Sequence, residues 1–443
     1  MPEAQTPPVA IVRVKDSSGW NVHRAASGCM IAMHEEGTAP MAATATATGT
    51  AATTITAIED PVPPRALAVT RPLLPELDTF LEYVRDIFAR RWLTNNGRYV
   101  QRLESALAAY LGVSQVAAVT NATVGLDLAL RALEVEGEVI TTGYSFPATY
   151  HVLLQNPRLT PVFVDIDEHF CLDPAAVAEQ ITPRTRAILA VHTYGYPCAV
   201  AELGRLAQHH RLPLIYDAAP AFGVTLDGRG IGAYGDLAVF SFHATKVFTT
   251  LEGGCIASGD ARPDLLDRLR LLRNFGIKNE EEIVLFGLNG KMDEMRAAFG
   301  LAALPLVEAA IARRRWVVEQ YLAYFEALED EQFAICWDLY RRPDLRLNYA
   351  YFPLLIHPSS SLDRDVLYAE LRRCGIYARR YFYPTVANSP LYQGRFDPAG
   401  LRRTDYASRH VLCLPVHHEM AAADCAKIIA AVDRVSRARR SCR

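Results

Sequence analysis

From Leu67 onward the chain alternates short, uninterrupted apolar runs with stretches of helical periodicity, and this alternation constrains the fold more than any single residue. "SQVAAVT" precedes "ATVGLDLALRAL", and "GEVITTG" and "LTPVFVDI" follow. "DPAAVAEQI" leads into "TRAILAVHTYG", "VAELGRLAQHH" leads into "LPLIYDAA", and "GDLAVFSFH" closes the series. A strand that is apolar at every position, not at every second one, is buried on both faces. Such strands separated by helices predict a largely parallel sheet covered on both sides. Ligands of such sheets bind at the carboxyl ends of the strands. Ahead of the series, "LPELDTFLEYVRDIFARRW" and "RYVQRLESALAAYLGV" show helical periodicity around an Asn-Asn-Gly turn. The last third changes character: a long helical stretch from "MDEMRAAFGLAAL" precedes strand-like "NYAYFPLLI" and helical "RDVLYAELRRCGI".

These patterns predict a large domain over 63–310 and a smaller α+β domain over 311–443. Residues 1–62 read differently. The Ala/Thr tract "MAATATATGTAATTITA" and the Pro-rich "EDPVPPRA" cannot bury enough apolar surface to offset their ordering entropy. A disordered low-complexity tail is expected there, with Met30, Met33 and Met41 as alternative starts. Half the residues are hydrophobic and 21% are charged, a balance typical of globular proteins, and the net charge of -3 gives no reason to expect a nucleic-acid or membrane partner. No run of about 18 apolar residues suggests a membrane span. The nine cysteines form no CxxC pair and no zinc-type Cys/His spacing, so no metal site is expected. Reduced thiols and a cytoplasmic location fit them.

Three segments place chemistry where strands end. "AVTNATVGLDLALRAL" runs from a strand through Asn121, Ala122 and Thr123 into a helix, and a helix N-terminus with small residues can cradle a phosphate. It is neither a Walker loop nor a GxGxxG, and a plain structural cap reads equally well there. Asp217 ends the apolar run of "LPLIYDAAPAFG", either as a crevice carboxylate or as a turn cap. Lys246 follows 29 positions later in "FSFHATKVFTTLEGG", with Ser241 five positions before it. A lysine that can take an aldehyde, a carboxylate for a pyridine nitrogen, a phosphate cradle and a ring to stack on are the four needs of pyridoxal 5'-phosphate. Phe146 in "TTGYSFPATYHVLL" is the candidate ring.

With those residues in place, the chain from about Leu67 to Asp433 resembles the DegT/StrS family of nucleotide-sugar aminotransferases. The matching segments fall in family order, among them "VTNATVGLDLAL", "SFPAT", "YDAAPAFG", "GDLAVFSFHATK", "GLNGKMDEMRAAFGL" and "LCLPVHHEM". The resemblance implies fold type I: a three-layer α/β/α large domain with a mainly parallel sheet, plus a smaller C-terminal α+β domain. It implies that Lys246 anchors the cofactor, Asp217 meets its pyridine nitrogen, and Phe146 stacks on its ring. Ala122, Thr123 and Ser241 then bind its phosphate. Asn289 matches an asparagine that reaches the neighbouring subunit's cofactor, which implies a homodimer with shared active sites. Thr94, Asn95, Arg379 and Tyr383 are candidates for contact with the sugar nucleotide.

Several positions depart from the family pattern. Pro220 stands where Gln or His is usual, Tyr196 replaces a common Gln, and Asn289-Gly290-Lys291 replaces Asn-Tyr-Arg. "YFYPTVANSPLY" lacks a histidine found in many members. A branch of the family that performs dehydration carries histidine in place of the lysine, so Lys246 favours transamination. The resemblance implies a ping-pong exchange: an amino donor, glutamate, delivers its amine and a keto-sugar collects it. Lys246 then moves the proton, which requires an amine pKa well below the free value of about 10.4. The "NGKM" and "YFYP" variants look most like family members that make dTDP-4-amino-4,6-dideoxyglucose, so the resemblance implies dTDP-4-keto-6-deoxyglucose as acceptor, in amino-sugar and polysaccharide biosynthesis. Amination at C3 of the sugar, amination of a cyclitol ketone, and a cofactor-binding regulator without turnover are the alternatives. A nicotinamide-dependent oxidoreductase would need a glycine fingerprint that "TNATVG" does not supply.

Overall fold

Seven apolar runs form the central sheet of the protein. The computed structural model describes residues 66–259, 263–328, 332–392, 396 and 398–440, together with three short antiparallel strands, Val14–Lys15, Asn21–Arg24 and Met30–Ala32. Apart from those strands, the tail expected over 1–62 lies outside the described residues. Pro61–Arg443 folds as one compact unit.

The seven strands are β1 (Gln115–Val119), β2 (Gly137–Thr142), β3 (Leu159–Val164), β4 (Thr185–Val191), β5 (Leu214–Asp217), β6 (Leu237–Ser241) and β7 (Gly254–Ser258). Their order is β1-β7-β6-β5-β4-β2-β3. All run parallel except β7, which pairs antiparallel with both β6 and β1. The sheet is therefore mainly parallel, as the apolar runs predict.

Alternation along the strands explains why those runs are continuous. In β1, Val116 and Ala118 face one hydrophobic cluster while Ala117 and Val119 face another. β6 divides the same way, with Ala238 and Phe240 on one side and Leu237 and Val239 on the other. Each face needs its own helical cover. Helices α1 (Leu77–Arg90) and α2 (Arg98–Leu111) precede the sheet. α3 (Ala122–Ala132) packs on the second face, and Gly125 allows the close approach, since a Cβ there would meet Val239 Cγ1 at 2.8 Å. α4 (Pro147–Leu154) follows β2.

The predicted 310/311 division falls inside the helix Val307–Ala327. Ala310 and Ile311 of this helix belong to the sheet's cluster, whereas Val317, Val318, Tyr321 and Phe325 belong to a second core. That second core is closed by the strands Phe333–Ala334, Phe352–Ile356 and Val411–Leu414. The helical run Glu294–Ala327 contains a stretch long and apolar enough, by length and mean composition, to cross a membrane, although charged residues such as Arg296 and Glu308 interrupt the run. Half of that stretch is buried inside the protein, as in the core helix of a globular fold.

Candidate active site

Because β1, β2, β4, β5 and β6 share one direction, the segments after their carboxyl ends open at one edge of the sheet. Register places Val191 and Val239 beside Asp217, and Ser241 beside Gly254, which in turn lies beside Val119. A cavity of about 290 Å³ sits at this edge. It is lined by Asn121, Ala122, Thr123, Phe146, Asp217, Ser241 and Lys246, so residues spread over more than a hundred positions meet in one space.

Each of these side chains is held by local chemistry. Asn121 caps α3: its backbone is extended and its Oδ1 accepts from Val124 N at 2.9 Å, while its carbonyl accepts from Gly125 N. The Ala122 and Thr123 N–H groups have no partner within the helix, as expected for the start of any α-helix, and they border the cavity. Gly254 makes room for this end, since a Cβ there would lie 2.6 Å from Phe240 O and 3.1 Å from Ala122 N. Ser241 ends β6 nearly buried, and its Oγ accepts from His243 N at 3.4 Å. Lys246 follows in a turn closed by Lys246 N to His243 O at 2.9 Å. Thr250 N to Phe242 O and Phe242 N to Gly253 O then fold the loop back onto the sheet, bringing Glu252 to the cavity wall.

Asp217 is 5% exposed. Its Oδ1 accepts from Ala219 N at 3.0 Å, and its Oδ2 accepts from Thr149 Oγ1 at 2.7 Å. Burial lowers the pKa of the Lys246 amine, against the opposing influence of Tyr381 and Asp217. Its Nζ stands 6.0 Å from the centre of the Tyr351 ring. A lysine amine, a carboxylate across the cavity, and helix N–H groups beside a hydroxyl fit pyridoxal 5'-phosphate, with Lys246 for its aldehyde, Asp217 for its ring nitrogen and the α3 end with Ser241 for its phosphate.

The remaining residues singled out in the sequence divide into two groups. Arg379 lines this cavity and also a neighbouring one of about 250 Å³, where Tyr383 lies. Arg380, its sequence neighbour, turns away to Asp365 at 3.2 Å. Phe146 lines both cavities but is 62% exposed, so its ring stands at the mouth. Thr94, Asn95 and Asn289 are exposed and line neither cavity. Pro220 does reach the first cavity, and its carbonyl accepts from Asn348 Nδ2 at 2.8 Å. Tyr196 is buried away from it, its hydroxyl 2.5 Å from that of Tyr340.

Sequence reasoning missed Ser145, Thr149, Thr193, Tyr351 and Tyr381. Ser145, Thr193, Tyr351 and Tyr381 line the cavity, and Thr149 stands behind Asp217. The carbonyl of Tyr381 is fixed by the hydroxyls of Tyr144, at 3.2 Å, and Tyr194. Ser145 and Thr149 lie within the "SFPAT" segment, where position alone could have flagged them; nothing in the sequence marks Tyr351.

The chain is similar over most of its length to known aminotransferases. Residues 76–433 match the DegT/DnrJ/EryC1/StrS aminotransferase family. The chain is 39% identical over 362 residues to a dTDP-4-amino-4,6-dideoxy-D-glucose transaminase of Escherichia coli, covering 80% of this chain and 95% of that protein. It is 33% identical over 363 residues to a GDP-perosamine synthase of Caulobacter vibrioides, covering 80% and 94%. Its structure resembles that of DesI determined in the presence of its TDP-sugar product, with a TM-score of 0.77 and 36% identity, covering 85% of this chain and 95% of DesI. The chain belongs to the DegT/DnrJ/EryC1/StrS aminotransferase family and is a pyridoxal 5'-phosphate-dependent aminotransferase.

Proposed function

We propose that this aminotransferase moves the amino group of glutamate to the keto carbon of dTDP-4-keto-6-deoxyglucose, in cytoplasmic amino-sugar and polysaccharide biosynthesis. The observation that carries the reading is the convergence of Lys246, Asp217 and the α3 N-terminus on one cavity, beside a second cavity with room for more of a large substrate. The choice of sugar rests on likeness to the E. coli transaminase over 95% of its length. The cytoplasmic placement draws on the seven described cysteines, all of them free thiols.

When bound, pyridoxal 5'-phosphate supplies an electrophilic carbon and an electron sink. The protein's part is placement and proton transfer. The Ala122 and Thr123 N–H groups and the Ser241 hydroxyl receive a phosphate. Asp217 receives a protonated ring nitrogen, and Phe146 covers the ring at the cavity mouth. Lys246 Nζ, its pKa lowered by burial, takes a proton from the donor's carbon and later delivers one to the sugar carbon. Arg379, shared by the two cavities, is placed to meet a diphosphate.

A homodimer is part of the proposal. Asn289 lies on a segment whose apolar side chains are exposed, with Phe286 at 96% and Ile283 at 74%. A second copy covering that segment would bring Asn289, Thr94 and Asn95 to the partner's site. The decisive experiment incubates purified protein with cofactor, glutamate and a panel of nucleotide keto-sugars and identifies the amine by NMR. The expected product is the 4-amino sugar from the dTDP substrate. Amination at C3, or of a cyclitol ketone only, would replace the substrate assignment. Binding of cofactor with no turnover of any acceptor would overturn the reading. Lys246→Ala should lose turnover by at least about 1000-fold; full activity in that variant would remove the lysine from its role.

A further inference from the structure

We infer that Thr149 is a positioning residue for the cofactor site, and that Ser145 is the next link in the same chain. The inference rests on the cofactor reading above and concerns residues that no match to a known protein assigns. Ser145 Oγ and Thr149 Oγ1 are 2.7 Å apart, and Thr149 Oγ1 is 2.7 Å from Asp217 Oδ2. A hydroxyl has one proton to give. Thr149 spends it on the carboxylate, so toward Ser145 it can only accept. The direction follows: Ser145 donates to Thr149, and Thr149 donates to Asp217. Both hydroxyl residues are buried, Ser145 at 3% exposure and Thr149 at 0%, so solvent offers no replacement partner.

The chain matters because of where its ends lie. Asp217 belongs to β5, whereas Thr149 lies in the first turn of α4, Phe146 is its N-cap and Ser145 precedes the cap, with Thr149 N donating to Phe146 O at 3.2 Å. One hydroxyl therefore sets the carboxylate's rotation and ties it to the turn that carries the Phe146 ring. Together with the Ala219 N–H on Oδ1, it occupies one side of each oxygen and leaves the cavity side for a ligand. The carboxylate that meets the ring nitrogen and the ring that covers it are held in register by Thr149.

The test uses full-length protein freed of cofactor and reloaded with pyridoxal 5'-phosphate labelled with 15N in the ring. Thr149→Val keeps the shape and removes the hydroxyl, Thr149→Ser keeps the hydroxyl, and Ser145→Ala removes only the outer link. Thr149→Val should weaken cofactor binding about tenfold, with Ser145→Ala about threefold weaker and Thr149→Ser within about twofold of wild type. The 15N resonance of the bound ring should move toward the neutral-pyridine position at lower pH in Thr149→Val than in wild type. Unchanged affinity and unchanged 15N titration in both Thr149→Val and Ser145→Ala would overturn the inference. So would a Thr149→Ser variant that behaves like Thr149→Val, because packing of the methyl group would then be the cause. Wild-type protein that fails to take up the cofactor would instead overturn the cofactor reading itself.

Discussion

At Lys246 the fold puts an amine where burial disfavours its charge, with Asp217 and Tyr381 pulling the other way. Desolvation is the largest of these influences, so the sign is settled: the amine loses its proton below the ordinary lysine value of about 10.4. A neutral amine is what both attack on an aldehyde and proton abstraction require. In cofactor-free protein, reductive methylation followed by peptide mapping should modify Lys246 with a pH midpoint below that ordinary value. A midpoint at or above it would remove the basis for a proton-transferring lysine. The linkage to stability has the same sign. The folded state binds fewer protons at this site than the unfolded chain between the folded and unfolded pKa values, so Lys246 adds to stability as pH rises through that window. Lys246→Met should flatten that part of the pH–stability curve, as measured by urea denaturation.

Single elements show which features of the fold the sequence carried openly. The strands of the central sheet were legible because burial on both faces forces continuous apolar runs, and the α3 turn was legible because Asn121 is a good cap. α2 was legible only as a helix. Its N-cap is Gly97, which has no side chain to offer, and the missing cap comes from Glu294, 195 positions beyond Tyr99. Glu294 is fully buried and accepts from Tyr99 N at 3.0 Å and Val100 N at 2.9 Å. No local pattern announces a cap supplied through space, and the same is true of Tyr351 beside Lys246. Glu294→Ala would leave two helix N–H groups without partners, and denaturant titration should show a loss of about 2–4 kcal/mol. The start of β7 gives a second test at this scale. Gly254→Ala would press a Cβ onto Phe240 O and Ala122 N, and β6 and the α3 end would have to separate. A cost of about 1–3 kcal/mol is expected, with weaker retention of cofactor on dialysis if the displaced N–H belongs, as proposed, to the phosphate cradle. Retention equal to wild type would place the phosphate elsewhere.

For the whole molecule, the question is why exposed apolar side chains lie beside residues that line neither of the two cavities of the site. Phe275, Ile283, Val284 and Phe286 are exposed on the segment leading to Asn289, and Phe88, Trp92 and Leu93 are exposed just before Thr94 and Asn95. Apolar surface grouped in this way marks an interaction face. If a second copy covers it, the two-fold symmetry of a dimer requires the exchange to be mutual, each chain giving Asn289 to its partner and receiving one in return. Phe286→Asp combined with Ile283→Ser should then produce monomers in sedimentation velocity and lose turnover, although Lys246 and Asp217 are untouched. Monomers that retain full activity would rule out shared sites. Mixing two inactive variants gives a sharper form of the test. A Lys246→Ala chain still presents a normal Asn289, and an Asn289→Ala chain still presents a normal Lys246. In a mixed dimer one site collects both defects and the other collects none. Refolding the two variants together in equal amounts makes about half of the dimers mixed, each with one intact site of two, so activity should return to about a quarter of wild type. Asn289→Ala alone must first show a clear loss for the mixture to be informative. If each site were built from one chain, mixing would restore nothing, and the exposed segment would need another occupant.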